Sequence, residues 1–212
     1  MIKIDIISDV VCPWCFIGKK RLDNAINKYK DYKFDINWHA FQLNPDMPNN
    51  GMNRKLYLSS KFGGENRAQD IYKNIEMAGL SSGIQFNFEK IITMPSSFNA
   101  HILIEYSKEQ NLQNKISEEL FKAFFIEGKN IGEFNILSEL ADNSNILGFS
   151  KKVILERKDL IGNVLKSETS SRDRGINGVP FFIINDNYAV SGAQESEVFE
   201  KIFETCLLEV KD

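Results

Sequence analysis

Strand-like alternation is confined to the two ends of this chain, and that segregation limits the folds open to it. Ile2, Ile4 and Ile6 alternate with Lys3 and Asp5, the period of two that marks a half-buried strand. Phe34, Ile36, Trp38 and Ala40 repeat the pattern against Lys33, Asp35, Asn37 and His39. Between them Phe16 to Tyr29 has helical spacing, and Lys30 to Tyr32 turn into the second strand. Turn formers then crowd into the stretch from Asn44 to Gly51, which ends the opening unit. From Asn53 to Arg172 only helical patterns are legible, interrupted at Gly63-Gly64, Gly79, Gly128 and Gly148, and they predict five or six helices. One starts near Ser96 and Ser97, whose hydroxyls are suited to accept the first free amide hydrogens, and another carries Leu120, Phe121, Phe124 and Phe125. The strand signal returns from Pro180 to Ile184, turns at Asn185 to Asn187 and resumes from Tyr188 to Val190. Ser191 and Gln194 match a capping box ahead of a last helix with Val198, Phe199, Ile202 and Phe203 on one face.

Strand, helix, strand, helical block, hairpin, helix is the order of an α/β thioredoxin-like fold interrupted by an all-helical insertion. The expected parts are residues 1–44, an insertion over 45–172, and 173–212. A 42% hydrophobic content with 16 Phe supplies the core such a fold needs. Lys plus Arg number 26 against 29 Asp plus Glu, a net −3, so no strong attraction to nucleic acid is expected. Every apolar run is broken by Lys, Asp, Asn or Glu, which excludes a transmembrane reading. The alternating N-terminus lacks the basic start and apolar block of a signal peptide, so the expected location is the cytoplasm.

Chemistry concentrates at Cys12-Pro13-Trp14-Cys15, where the first strand hands over to the first helix. Free amide hydrogens and the helix dipole favour a negative group there. A thiolate is such a group, and it is both the attacking form and the better leaving group in thiol–disulfide exchange. Cys12, nearest the helix end, is the expected attacker. Cys15 follows three positions later on the same helix face, within reach to close an internal disulfide. Pro13 suits the first helical turn, where a missing amide hydrogen does no harm. A zinc site would need two further ligands, and Cys206, His39 and His101 form no second close pair, so no metal is expected. A second signal is Gly178-Val179-Pro180-Phe181, which puts a proline at a strand start where either peptide isomer is found.

The sequence resembles the DsbA-like thioredoxin superfamily, and most closely its cytoplasmic FrnE-like branch. The resemblance spans nearly the whole chain. It rests on the run from Asp9 to Lys19 with both cysteines, Phe41 to Pro48, Ala100-His101, Gly175 to Ile183, and Val190 to Gln194. It implies Cys12 as nucleophile, Cys15 as resolving thiol, and Pro180 in cis facing them, with the Val179 backbone pairing with bound substrate. It also sets the helix of His101 beside the pair, so Pro13, Trp14, Val179, Pro180 and His101 form the implied substrate-contact set. The implied partners are protein or small-molecule thiols and disulfides, with glutathione as a redox partner, no tightly bound cofactor, and a homodimer left open. A sister branch, the kappa-class glutathione transferases and 2-hydroxychromene-2-carboxylate isomerases, binds glutathione and typically has serine in place of the first cysteine. Retention of both cysteines favours disulfide exchange over that chemistry, and a redox-independent chaperone-like module whose apolar insertion holds unfolded clients stays open as a further alternative.

Other residues carry plainer expectations. His39 is structural, and His101 reads first as an ordinary helix histidine. Asp9 either influences the Cys12 proton or caps the loop that follows its strand. Cys206 is a small buried hydrophobe. Lys19, Lys20 and Arg21 are expected to form a solvated helix face. Met47, Met52, Met77 and Met94, with Phe98, are core filler before they are an apolar substrate groove.

Overall fold

The computed structural model describes residues 1–209. Strand β1 (Ile2–Ser8) leads into helix α1 (Pro13–Ile26) and strand β2 (Phe34–Ala40). There follow β3 (Met52–Asn53), α2 (Arg54–Phe62), α3 (Glu65–Ser81), β4 (Thr93–Met94), α4 (Phe98–Ser107), α5 (Gln113–Phe125), α6 (Phe134–Asn143), α7 (Lys151–Glu156) and α8 (Lys158–Asp173). Strands β5 (Phe181–Ile184) and β6 (Tyr188–Ser191) and helix α9 (Ser196–Glu209) complete the described chain. The main sheet runs β2-β1-β5-β6, with β1 parallel to β2 and antiparallel to β5, and β5 antiparallel to β6. This is the thioredoxin-like α/β fold with a helical insertion that the order of signals implied.

β1 is the central strand, and all of it but Lys3 is buried. Its alternation sorts side chains between two layers: Ile2, Ile4 and Ile6 join the main core with Phe182, Phe199 and Phe203, while Ile7 packs with Phe41 and Ile176. Aromatic stacking joins the insertion to this framework. Phe16 of α1 lies flat on Phe121 of α5, with ring centroids 5.1 Å apart, and meets Phe86 edge-on at 6.1 Å.

The structure corrects several local expectations. Among the described residues seven α-helices, not five or six, lie between β2 and β5, because α7 and α8 are separated at Arg157 with neither glycine nor proline to mark the break. Two short strands, β3 and β4, also pair there, each too brief for alternation to be legible. Of the two serines before α4, Ser96 Oγ accepts the Phe98 amide at 3.5 Å, while Ser97 makes no capping bond. Ser191 ends β6 instead of capping α9: Gln194 Nε2 donates to its backbone oxygen, and α9 begins at Ser196, whose hydroxyl donates to the Arg21 carbonyl.

The largest correction concerns the basic run. Lys19 is 1% exposed and its ammonium lies 2.6 Å from Asp23 and 3.1 Å from Glu118. Arg21 is buried too, donating to Ser82 Oγ and the Ala193 carbonyl and pairing with Glu195; only Lys20 stays partly exposed. Glu118 and Ala193 lie 99 and 172 positions away in sequence, so no local pattern could have announced them. A buried cation is tolerated only when paired in this way.

Burial by itself would raise the Glu118 carboxyl, but the ammonium groups of Lys122 and Lys19 overcome it and bring the group from its ordinary 4.5 to about 2. A carboxyl depressed on folding adds stability above its unfolded value, and that contribution is lost as pH falls towards the folded value. Burial moves Asp23 the opposite way, so the two partly cancel. Glu118→Gln should therefore lose less stability than the parent between pH 4.5 and 2 in urea unfolding. Parallel stability curves across that window would contradict the assignment.

Candidate active site

β1 delivers the chain into a tight loop, and Cys12 occupies the N-cap of α1 with extended backbone angles, φ −97° and ψ 114°. Its carbonyl accepts the amide hydrogens of Cys15 at 3.0 Å and Phe16 at 3.4 Å, which starts the helix and sets both cysteines on one side. Pro13 fills the first helical position, where its missing donor is harmless. From the other end of the chain, pairing of β5 with β1 carries the Val179–Pro180 peptide, which is cis, against this loop. Cys12 Sγ donates to the Val179 carbonyl at 3.7 Å. Cys12, Cys15, Val179 and Pro180 are thus brought together, and Trp14 stands beside them at the surface, 37% exposed.

Both cysteines are buried, Cys12 at 4% exposed and Cys15 at 2%. Cys15 is buried; that burial, and then the adjacent Cys12 sulfur, push its thiol well above the usual range, against the smaller opposite pull of the Ser8 hydroxyl and the Asp9 backbone. Cys15 therefore holds its proton near neutrality. Asp9 is fully buried and caps the loop, accepting the Val11 amide at 3.3 Å and the Leu43 amide at 2.7 Å. His101 Nε2 lies 3.4 Å from Asp9 Oδ1, in ion-pair range without the alignment of a hydrogen bond. His101, expected to contact substrate, is 3% exposed and stands beside Asp9.

One rim of the site went unnoticed in the sequence. Tyr57 and Lys61, one turn apart on α2, converge on Asn44 Oδ1, the tyrosine hydroxyl donating at 3.1 Å and the ammonium at 2.9 Å, while Lys61 also donates to Tyr57 at 2.7 Å. Burial raises Tyr57 to about 12 and lowers Lys61. They line a groove of about 420 Å³ with Leu43, Met47 and Met52. The i, i+4 spacing of Tyr57 and Lys61 after the Asn44-Pro45 turn was the available signal. The four methionines share no groove, since Met47 and Met94 are buried and Met77 is exposed elsewhere. His39 is held by Asp5 at 2.8 Å, and Cys206 is buried in the core. Among the described residues, no group of three or more His, Cys, Asp or Glu is arranged to hold a metal ion, and no helix is long and apolar enough to cross a membrane.

The family model for a DSBA-like thioredoxin domain matches residues 3–204. The chain belongs to the DSBA-like thioredoxin family. It is 32% identical over 203 residues to the Bacillus subtilis protein YwbO, itself described as uncharacterized, covering 94% of each chain. Among solved structures it is similar to a probable DsbA oxidoreductase, SCO1869 of Streptomyces coelicolor, with a TM-score of 0.85 at 24% identity over 99% of this chain and 91% of that one. It also shares its fold with the cytosolic disulfide reductase DsbM of Pseudomonas aeruginosa, with a TM-score of 0.72 at 16% identity over 97% and 98% of the chains. DsbM has also been solved with GSH.

In this DSBA-like chain the approach of α1 to the Pro180 loop depends on Gly18. A Cβ there would lie 3.0 Å from the Pro180 ring and 3.1 Å from Phe182, closer than packed carbons normally come. Phe182 is fully buried and cannot swing aside. Gly18→Val should lower stability in urea unfolding by roughly 1–3 kcal/mol. Unchanged or raised stability would show that the contact is slack.

Proposed function

We propose that the chain is a thiol–disulfide oxidoreductase in which Cys12 attacks and Cys15 resolves. The observation that carries this reading is the placement of Cys12 at the start of α1 against the Val179 carbonyl, with Cys15 buried behind it. In the oxidative direction of the protein's own cycle, the Cys12 thiolate attacks a substrate disulfide and forms a mixed disulfide, expelling one substrate thiolate. Cys15 then gives up its proton and attacks the Cys12 sulfur. An internal disulfide forms, and the second substrate thiolate leaves and takes up a proton; the reverse sequence oxidises a dithiol.

Substrates are protein or small-molecule disulfides and thiols, met by Pro13, the exposed face of Trp14, the Val179 backbone and Pro180. Glutathione serves as a redox partner, a reading supported by the likeness to DsbM, which has been solved with GSH. The likeness to a cytosolic reductase also supports a cytoplasmic protein. We read it as FrnE-like in type, with thioredoxin-like parts at 1–44 and 173–212 around an insertion at 45–172.

With glutathione disulfide as substrate and intact mass as readout, Cys15→Ser should accumulate one stable glutathione adduct on Cys12, and Cys12→Ser should exchange no faster than the uncatalysed background. Normal exchange by Cys12→Ser would overturn the reading. Turnover unaffected by Cys15→Ser would point instead to glutathione-dependent transferase or isomerase chemistry.

A further inference from the structure

Arg21 of α1 is 7% exposed, and its guanidinium reaches out of its own helix in three directions. Nε donates to Ser82 Oγ at 3.0 Å, one terminal nitrogen donates to the Ala193 carbonyl at 2.6 Å, and the other pairs with Glu195 at 2.7 Å. Ser82 caps the end of α3 in the insertion, while Ala193 and Glu195 belong to the turn between β6 and α9. The backbone of Arg21 adds a further tie, its carbonyl accepting the Ser196 hydroxyl at 2.9 Å. A planar guanidinium holds several directions at once, which an ammonium on a flexible stem does not.

That turn lies against the Pro180 loop. The β5–β6 pairing continues one residue beyond Phe181 and Ser191, with the Gly192 amide donating to the Pro180 carbonyl at 2.9 Å. One helical turn before Arg21, Gly18 faces both segments: a Cβ there would lie 3.0 Å from the Pro180 ring and 3.5 Å from the Ala193 Cα. Apolar packing holds the turn only weakly, because Ala193 is its one apolar side chain and is only partly buried. Among the described residues, every hydrogen bond and ion pair between α1 and this turn ends on Arg21. The third arm brings in the insertion, since Ser82 Oγ in turn donates to the Ala78 carbonyl within α3.

We infer that Arg21 is a positioning residue for substrate binding: by fixing the turn at Ala193 it holds Gly192 on the Pro180 carbonyl, and so sets the Val179–Pro180 edge for an extended peptide segment. The inference rests on the thiol–disulfide reading above and names the substrate class it favours, a disulfide carried on peptide backbone. A peptide strand adds to such an edge through main-chain hydrogen bonds and depends on its placement, whereas a small disulfide needs only the Cys12 sulfur. Arg21 touches no reacting atom and leaves the exchange itself to Cys12 and Cys15.

The test is single-turnover reaction of the reduced full chain with two substrates in excess. One is a short peptide closed by a disulfide, followed by acid quench and mass; the other is a neutral dipyridyl disulfide, followed by the light-absorbing thione it releases. Both need Cys12, so a smaller folded fraction or an altered Cys12 thiolate lowers both rates together, whereas a displaced edge lowers the peptide rate alone. Arg21→Met should reduce the peptide rate constant relative to the dipyridyl one by roughly tenfold, with a higher half-saturating peptide concentration and a limiting rate that holds. Ser196→Ala removes only the tie to the Arg21 carbonyl and should move the same ratio the same way by less, so the test survives if Arg21→Met does not fold. An unchanged ratio in Arg21→Met, or in Ser196→Ala where Arg21→Met does not fold, overturns the positioning role alone. So does a parent protein that reacts with the dipyridyl disulfide and not with the peptide. A parent protein that reacts with neither overturns both the positioning role and the thiol–disulfide reading.

Discussion

Antiparallel pairing of β1 with β5 is the constraint on which the site depends, because it carries Val179 and Pro180 to Cys12 across 167 positions of sequence. Neither end of the chain holds the site alone. The loop after β1 supplies two sulfurs at a helix start, and the loop before β5 supplies the carbonyl that meets one of them. β1 can serve both neighbours because its two backbone edges are both paired, one with parallel β2 and the other with antiparallel β5. The close approach of Gly18 to Pro180 follows from the same pairing, since the ring has to fit between helix and strand.

The insertion is built into this framework at several points. Its Phe121 and Phe125 stack on Phe16 of α1, and its Glu118 joins Asp23 in pairing the buried Lys19. It also reaches the chemistry from two sides. α2 brings Tyr57 and Lys61 to the rim through Asn44, and α4 places His101 behind Asp9. The cysteines therefore lie between a thioredoxin-like base and a helical cover, with water-accessible surface near Trp14 and a closed interior behind Cys15.

What was legible in the sequence shares one physical property: it is local. The isoleucine alternation of β1, the hairpin through Asn185 and Asp186, whose positive φ those residues tolerate, and the cysteine pair at a strand-to-helix junction are all set by neighbours in sequence. What was illegible depends on distant partners. Lys19 and Arg21 look like solvated charges until Glu118, Ala193 and Glu195 are brought beside them. His101 reads as an ordinary histidine, and only the fold reveals that it faces a buried aspartate and a cavity. The break between α7 and α8 has no local cause in glycine or proline, and β3 and β4 exist only as a pair.

The most direct measurement is equilibration of the protein across a series of glutathione redox buffers, with free thiols trapped by alkylation and the peptide holding Cys12 and Cys15 followed by mass. The account predicts reversible, two-electron closure of a single Cys12–Cys15 disulfide with one midpoint. Two thiols that stay open to alkylation across the whole range, or a lasting glutathione adduct on Cys12 with Cys15 still free, would contradict it.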